Sequence, residues 1–570
     1  MKSAISLRHR TALPGKCPAS IAQAPNGIWI SDMEDSSLIL FSPKEGRILK
    51  RVKSIVRRPQ TISWAGRELW EYDEETSNLF RRDIEGGRDR LFGKVPGVNF
   101  PYLGFTFNER ERTLWLISPD QPYFTVSNNI VTVVKFPRRI KAAEFEAPSH
   151  SCRGLCHDGS YLWTLDVEEK EIFALDPESG EIVTSYKLRE VTAPSSLIVR
   201  ENWVQTMDLF SQELLTYELD RGIRVSASGG RRSSVDIVYT IRNNGPGRLN
   251  SMEISQCLPQ NYLHQRLLKK PEVKPAPAEI FAGQWGDDSN AGEVVVNKIG
   301  PLDPAKEQQV SVSLEVDTVD LQWHIYPHLV GSFEDIPEEL RRNYLFDEMV
   351  KRDDTELVDI VKTAQALFQT DDQEIKSEVE KIVGEEENPY WISRKIYDFV
   401  VDKVQYILPY SSISSRKILK QGKGSCGNHA TIFIALCEAA GLPARSIIGF
   451  GIWRNDSRLG YLDHEIPEVY LPNYGWVPAD TSRFMSLPIR GSHPLTKFRS
   501  FGSLSDRFFV NGFGRDLSSD WARRRYQEER LPETEGEGRP EELFFLRWKS
   551  KPIATPSWAE ALSSTRKHKK

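Results

Sequence analysis

The sequence predicts a multidomain, β-rich chain with an α+β domain in its C-terminal half. Three observations predict this. A strand unit built around tryptophan recurs through the first 220 residues. Apolar alternation with a period of two dominates from about 222 to 325. From 333 to 404 the apolar period becomes helical, and a glycine-rich loop then runs into an apolar helix. With 570 residues the chain exceeds one core, and about three or four domains are expected.

The repeat reads GIWISD at 27–32, ELWEYD at 68–73, TLWLIS at 113–118, YLWTLD at 161–166 and NWVQTMD at 202–208. Trp29, Trp70, Trp115, Trp163 and Trp203 follow one another at intervals of 40 to 48 residues. Each is followed by a polar residue, usually Asp, then a turn and a further strand, as in IFALDPESGEI at 172–182. A period in the forties with several strands per unit is the signature of propeller blades. Residues 1–221 are therefore expected to form β-propeller-like repeats, five of them visible. They resemble, in architecture only, the blades of bacterial propellers of the quinoprotein and NHL type. Within them Cys152-Arg153-Gly154-Leu155-Cys156-His157 has three residues between its cysteines, where haem attachment uses two. It lacks a neighbouring ligand pair for zinc and reads as strand and turn.

Residues 222–330 read as a β-sandwich module. Val235, Ile237, Tyr239 and Ile241 fall on one face before a turn at Asn244-Gly245-Pro246. The proline-rich KKPEVKPAPAEIF is excluded from a central strand, because proline lacks the ladder N–H. Residues 331–500 form the α+β domain. It opens with a helical stripe of Leu357, Ile360, Val361, Ala364, Leu367 and Phe368, and a second helix starts at Asn388-Pro389. Residues 501–570 read as an extension: a charged helix and loop, a strand at LFFLRW (543–548) packing back on a domain, and a disordered tail, STRKHKK.

The balance of 75 basic and 80 acidic residues, net −5, gives no electrostatic case for nucleic acid. Six scattered cysteines make no disulfide framework and fit a reducing compartment. The first residues lack the apolar core of a signal peptide. No run reaches the roughly 20 apolar residues of a membrane helix. A cytoplasmic protein without a membrane partner is expected.

The chemistry concentrates in GKGSCGNHATIFIALCEAAGLPAR at 422–445. Ser425 is an N-cap candidate that places Cys426 in the first helical turn. Amides and dipole at a helix start favour a thiolate, and the Cys426 N–H is placed to meet a developing oxyanion. Gly422 and Gly424 permit close backbone approach, and Cys437 falls in the apolar stretch as core. A nucleophilic thiol needs a base, and the base an orienting partner. His464 and Asp480 lie sixteen residues apart in DHEIPEVYLPNYGWVPAD. If EIPEVYLP and GWVPAD pair across LPNYG, both reach neighbouring strand positions. His429 is the competing base but lies one turn along the nucleophile's own helix, and reads as a site-lining or helix-surface residue. Arg445 reads as a structural pairing or capping residue. Tyr406 reads either as core or as a hydroxyl near the oxyanion. Pro467, inside the histidine strand, suggests an edge strand or a bulge.

Residues 390–482 resemble the core of the transglutaminase-like superfamily, which has the papain-like fold. The resemblance rests on G-x-G-x-C at Gly422–Cys426, the GIPAR-type turn Gly441-Leu442-Pro443-Ala444-Arg445, His464 opening HEIPEVY, and Gly475-Trp476-Val477-Pro478-Ala479-Asp480. It implies Cys426 as nucleophile, His464 as general base and acid, and Asp480 as the residue orienting the imidazole. The chain departs from the family where an aromatic residue usually follows the histidine by two, since Ile466 stands there.

The function expected is cysteine-dependent acyl transfer or hydrolysis of protein or peptide amides, through a thioester and without metal or other cofactor. Protease, amidase and cross-linking readings remain open, with hydrolysis favoured. The alternative is a non-catalytic binding scaffold built on a vestigial core, and in either reading the propeller offers a surface to a protein partner.

Overall fold

The computed structural model describes residues 4–120, 128–282, 293–349, 367–408, 413–452, 456–459, 463–482, 494–513 and 533–563. The chain divides into two compact units, Met1–Ile223 and Arg224–Ser564.

Among its described residues the first unit has five sheets, each of four antiparallel strands. Four sheets use consecutive strands, beginning at Pro18–Ala24, Thr61–Ala65, Gly104–Asn108 and Cys152–His157. The fifth combines Pro194–Arg200, Trp203–Asp208 and Glu213–Leu219 with the N-terminal strand Ile5–Ala12. First strands of successive sheets adjoin in order, and Pro194–Arg200 adjoins Pro18–Ala24, so the series returns to its start.

Each tryptophan unit forms the second strand of its sheet. Trp29, Trp70, Trp115 and Trp163 are at most 2 % exposed, whereas Trp203 is 42 % exposed. The first four stand three residues before the polar residue that ends the unit, but Trp203 stands five before Asp208. It therefore falls on the first residue of its strand, beyond the buried stretch. The aspartates have a structural role. Buried Asp32 accepts the backbone N–H groups of Lys16 (2.7 Å), Cys17 (3.3 Å), Glu34 (3.0 Å) and Asp35 (3.3 Å). Asp208 does the same for Thr192, Ala193 and Phe210. One carboxylate thus fastens the loop entering a sheet to the turn within it, satisfying amides that face no strand.

In the second unit the long strand Val225–Asn243 pairs on one side with Glu307–Trp323 and on the other with Pro540–Pro552, within which LFFLRW lies. Arg248–Cys257 and Glu293–Ile299 belong to a second sheet. The sheets share an apolar core that includes Val235, Ile237, Leu258, Val295, Val312 and Trp548. The proline-rich stretch supplies only the short strands Glu272–Lys274 and Glu279–Ala282.

A further four-stranded sheet has the order Gly475–Pro478, Asp463–Leu471, Ala444–Gly451, Phe508–Phe513, all antiparallel. The helix Cys426–Ala439 is buried from Gly427 to Glu438 and packs on the strand Asp463–Leu471. The helix Pro389–Lys403 starts as its sequence signals, with Pro389 at the first position and Asn388 accepting the Tyr390 N–H at 2.9 Å. Phe450, Ile452 and Phe509 reach into the core shared by the two sheets before it, so the middle and α+β regions are joined by apolar packing. The segment after 500 contributes to both regions: Ser503–Leu504 pairs with Glu307–Trp323, and Phe508–Phe513 completes the α+β sheet.

Phe368 of the expected stripe is buried, while Leu357, Ile360, Val361 and Ala364 lie outside the described residues, as do 514–532 and the STRKHKK tail. No helix among the described residues is long and apolar enough to cross a membrane.

Candidate active site

The loop that leads to Cys426 is set by glycine and by a cap. Gly422 ends the helix Ser415–Gln421 in the left-handed conformation, with φ +61°. The chain then forms a two-residue parallel bridge, Lys423–Gly424 beside Gln405–Tyr406. Ser425 is the N-cap of the next helix and Cys426 its first residue. Asn428 Oδ1 accepts from the Ser425 backbone N–H at 3.1 Å and from its hydroxyl at 3.3 Å, closing the first turn. Cys426 is half-buried at the helix start, where the backbone amides are unpaired by the helix itself.

The expected hairpin forms. Asp463–Leu471 and Gly475–Pro478 pair in the register Glu468↔Pro478, and the Ala479 N–H extends it by donating to the Pro467 carbonyl at 2.8 Å. Counting on, Asp480 falls one diagonal step from His464 on the same face. His464 Nε2 and Asp480 Oδ2 are 3.0 Å apart. Cys426 lies near enough to the imidazole to act on it electrostatically. His464 is 1 % exposed and Asp480 6 %. Burial works against a charged imidazole, but the charge and hydrogen bond of Asp480, joined by the Cys426 thiol, outweigh it and push His464 up to about 10.

Two expectations are corrected. The histidine strand is not an edge and carries no register shift, since it is paired on both sides. The N–H and C=O of one residue in an antiparallel strand point the same way. The Pro467 carbonyl meets Ala479, so its missing N–H also faces that side, just past the end of the short strand. The loss therefore falls outside the ladder. His429 is not on the helix surface: it is 2 % exposed and its Nδ1–H donates to the Thr481 carbonyl at 3.1 Å. It ties the Cys426 helix to the Asp480 segment. Tyr406 lies beside the same ring, at 6.2 Å between centroids. Arg445 makes a buried pair with Glu468, Nε to Oε2 at 2.9 Å, and stacks on Trp476. Cys437 is fully buried and its thiol is pushed up by that burial.

Two partners were not read from the sequence. Ser482 donates to Asp480 Oδ1 at 3.0 Å. Glu468 accepts from Tyr262 as well as from Arg445. Strand parity was a signal for Glu468, which shares the inward face with His464. Nothing marked Ser482. No group of three or more His, Cys, Asp or Glu among the described residues could hold a metal ion.

Cys426 at a helix start, His464 on a strand and Asp480 just past the paired strand thus belong to one α+β region. Residues 376–481 match the transglutaminase-like superfamily, and the chain carries a domain of that superfamily there. A stretch of 131 residues is 30 % identical to an uncharacterized protein of Haemophilus influenzae, covering 19 % of this chain and 36 % of that protein. The chain thus spans about a third of the length of the curated relative it matches. Among solved structures, a candidate cysteine protease from Cytophaga hutchinsonii is similar at 18 % identity and TM-score 0.36, over 58 % of this chain and 93 % of that one. Glutaminyl cyclase from Myxococcus xanthus is similar at 10 % identity and TM-score 0.30, over 38 % and 96 %. Scores this low carry no argument, and the assignment rests on the superfamily match.

Proposed function

We propose that the chain is a cysteine-dependent enzyme acting on amide bonds of proteins or peptides. Cys426 is the nucleophile, His464 the general base and acid, and Asp480 the residue that orients the imidazole. The observation that carries this reading is the Cys426–His464–Asp480 arrangement at a helix start, with the His464 to Asp480 distance of 3.0 Å.

The thiolate attacks the amide carbonyl carbon, and the oxyanion forms near the amides that begin the helix. The C–N bond then breaks, the imidazolium of His464 gives its proton to the departing amine, and a thioester on Cys426 remains. Water or a second amine attacks the thioester, His464 takes the incoming proton, and the thiolate is released. Hydrolysis, the favoured outcome, and cross-linking share the first half.

In the same reading the first unit is a five-bladed propeller. Support comes from its five sheets, the cyclic order of their first strands, and the N-terminal strand completing the last sheet. It is proposed as a platform for a protein partner. Six cysteines scattered over 570 residues make no disulfide framework, which supports a reducing compartment such as the cytoplasm.

The test is a screen of peptide amides and primary-amine acceptors with the full chain and its Cys426→Ala variant. Free acid product indicates hydrolysis, and amine incorporation indicates transfer. Either activity is expected to vanish in Cys426→Ala with unchanged thermal unfolding. Activity retained by that variant overturns the mechanism, and inertness of the native thiol favours the binding scaffold.

A further inference from the structure

We propose that Ser482 is a positioning residue that locks the carboxylate of Asp480 toward His464; this rests on the enzymatic reading above.

The backbone around Asp480 is pinned from three directions. The Asp480 N–H donates to the Ser500 carbonyl at 2.8 Å. Tyr397 Oη donates to the Asp480 carbonyl at 3.4 Å. The next carbonyl, of Thr481, accepts from His429 on the nucleophile helix at 3.1 Å. These bonds place the Asp480 Cα relative to Cys426, yet none restrains the aspartate side chain. Rotation about its two side-chain bonds remains, and it decides whether an oxygen faces the imidazole.

Ser482 removes that freedom. Its hydroxyl donates to Oδ1 at 3.0 Å while His464 Nε2 meets Oδ2 at 3.0 Å. Two donors on different oxygens of one planar carboxylate fix both its direction and its tilt. A hydroxyl also suits the task electrostatically. It donates without bringing a charge, so Asp480 keeps its full negative charge for the imidazolium. A lysine or arginine there would satisfy the same oxygen and compete with His464. Serine two residues beyond the aspartate reaches back over a short local turn, so the restraint travels with Asp480 itself.

The test measures iodoacetamide labelling of Cys426 in the full chain by mass spectrometry at pH about 6 and about 10, in wild type, Ser482→Ala, Ser482→Thr and His464→Ala. At pH about 6 a reactive thiolate depends on the imidazolium beside it. Ser482→Ala is expected to slow labelling there by about tenfold, the weight of one hydrogen bond to a charged group. At pH about 10 it should match wild type. Ser482→Thr, which keeps the hydroxyl, is expected to restore the rate. Labelling of Ser482→Ala at the wild-type rate, while His464→Ala is slow, overturns the positioning role alone. Equal labelling of wild type and His464→Ala at pH about 6 overturns the enzymatic reading beneath it. Equal slowing at both pH values shows a general structural defect and also overturns the inference.

Discussion

His464 and Asp480 face each other across a diagonal of one hairpin, with Nε2 and Oδ2 3.0 Å apart and both side chains buried. The pair is buried on the sheet face against which the Cys426 helix packs, so its charges interact with little solvent screening. Its consequences for pH follow directly.

His464 is pushed up to about 10 from an ordinary 6.5. A group whose folded value is raised contributes stability that is complete below its unfolded value and is lost as pH rises through the folded one. The stability advantage of wild type over Asp480→Asn is therefore expected to be full below pH 6.5 and to fade toward 10. Urea unfolding of both proteins across this range checks it. A difference that does not change with pH would sink the argument.

Gly424 has no room for a side chain. A Cβ there would lie 2.5 Å from the Cβ of Asn428, the residue that closes the first turn of the Cys426 helix. Gly424→Ala is expected to cost about 1–3 kcal/mol by overpacking. It should also slow Cys426 labelling, because the turn that must shift carries the thiol. Unchanged melting and labelling would show that the loop yields freely.

Arg445 and Glu468 form a buried pair at 2.9 Å, with Tyr262 also donating to Glu468. Glu468→Ala leaves the guanidinium buried without its countercharge, and a loss of about 3–5 kcal/mol is expected. The double variant Arg445→Met with Glu468→Leu is expected to lose less than either single change to alanine. Denaturant titration reads both. A single variant no worse than the double would contradict this account.

Asp32 accepts four backbone N–H groups in the first unit. Burial raises its carboxyl, but those hydrogen bonds outweigh burial and hold it below the usual carboxylate range. Its stabilisation is present above the unfolded value, about 3.9, and is lost as pH falls through the folded one. Asp32→Ala is expected to cost about 3 kcal/mol at neutral pH. The gap from wild type should narrow in acid, as followed by tryptophan fluorescence. A gap that widens in acid would refute the assignment.

Much of this molecule was legible from local pattern. The helix start at Cys426 was announced by Gly424, Ser425 and the apolar run behind them, because capping is decided within one turn of chain. The His464 and Asp480 hairpin was legible because strand parity and a turn at Tyr474-Gly475 place both residues on one face. The tryptophan period located the second strand of every sheet in the first unit, but it missed that Trp203 is shifted by two residues and left exposed.

By itself the sequence singled out Cys426, His464 and Asp480, since each lies on or beside an element whose local signals are strong. Only the tertiary structure decided what holds them. His429 reaches Thr481 across 52 residues, and Arg445 reaches Glu468 across 23. Pro540–Pro552 completes a sheet begun some 300 residues earlier by Val225–Asn243. The physical reason is range. Capping, parity and turns act over a few residues and leave a mark in local sequence, whereas strand partners and buried pairs are selected by how all the apolar faces close together.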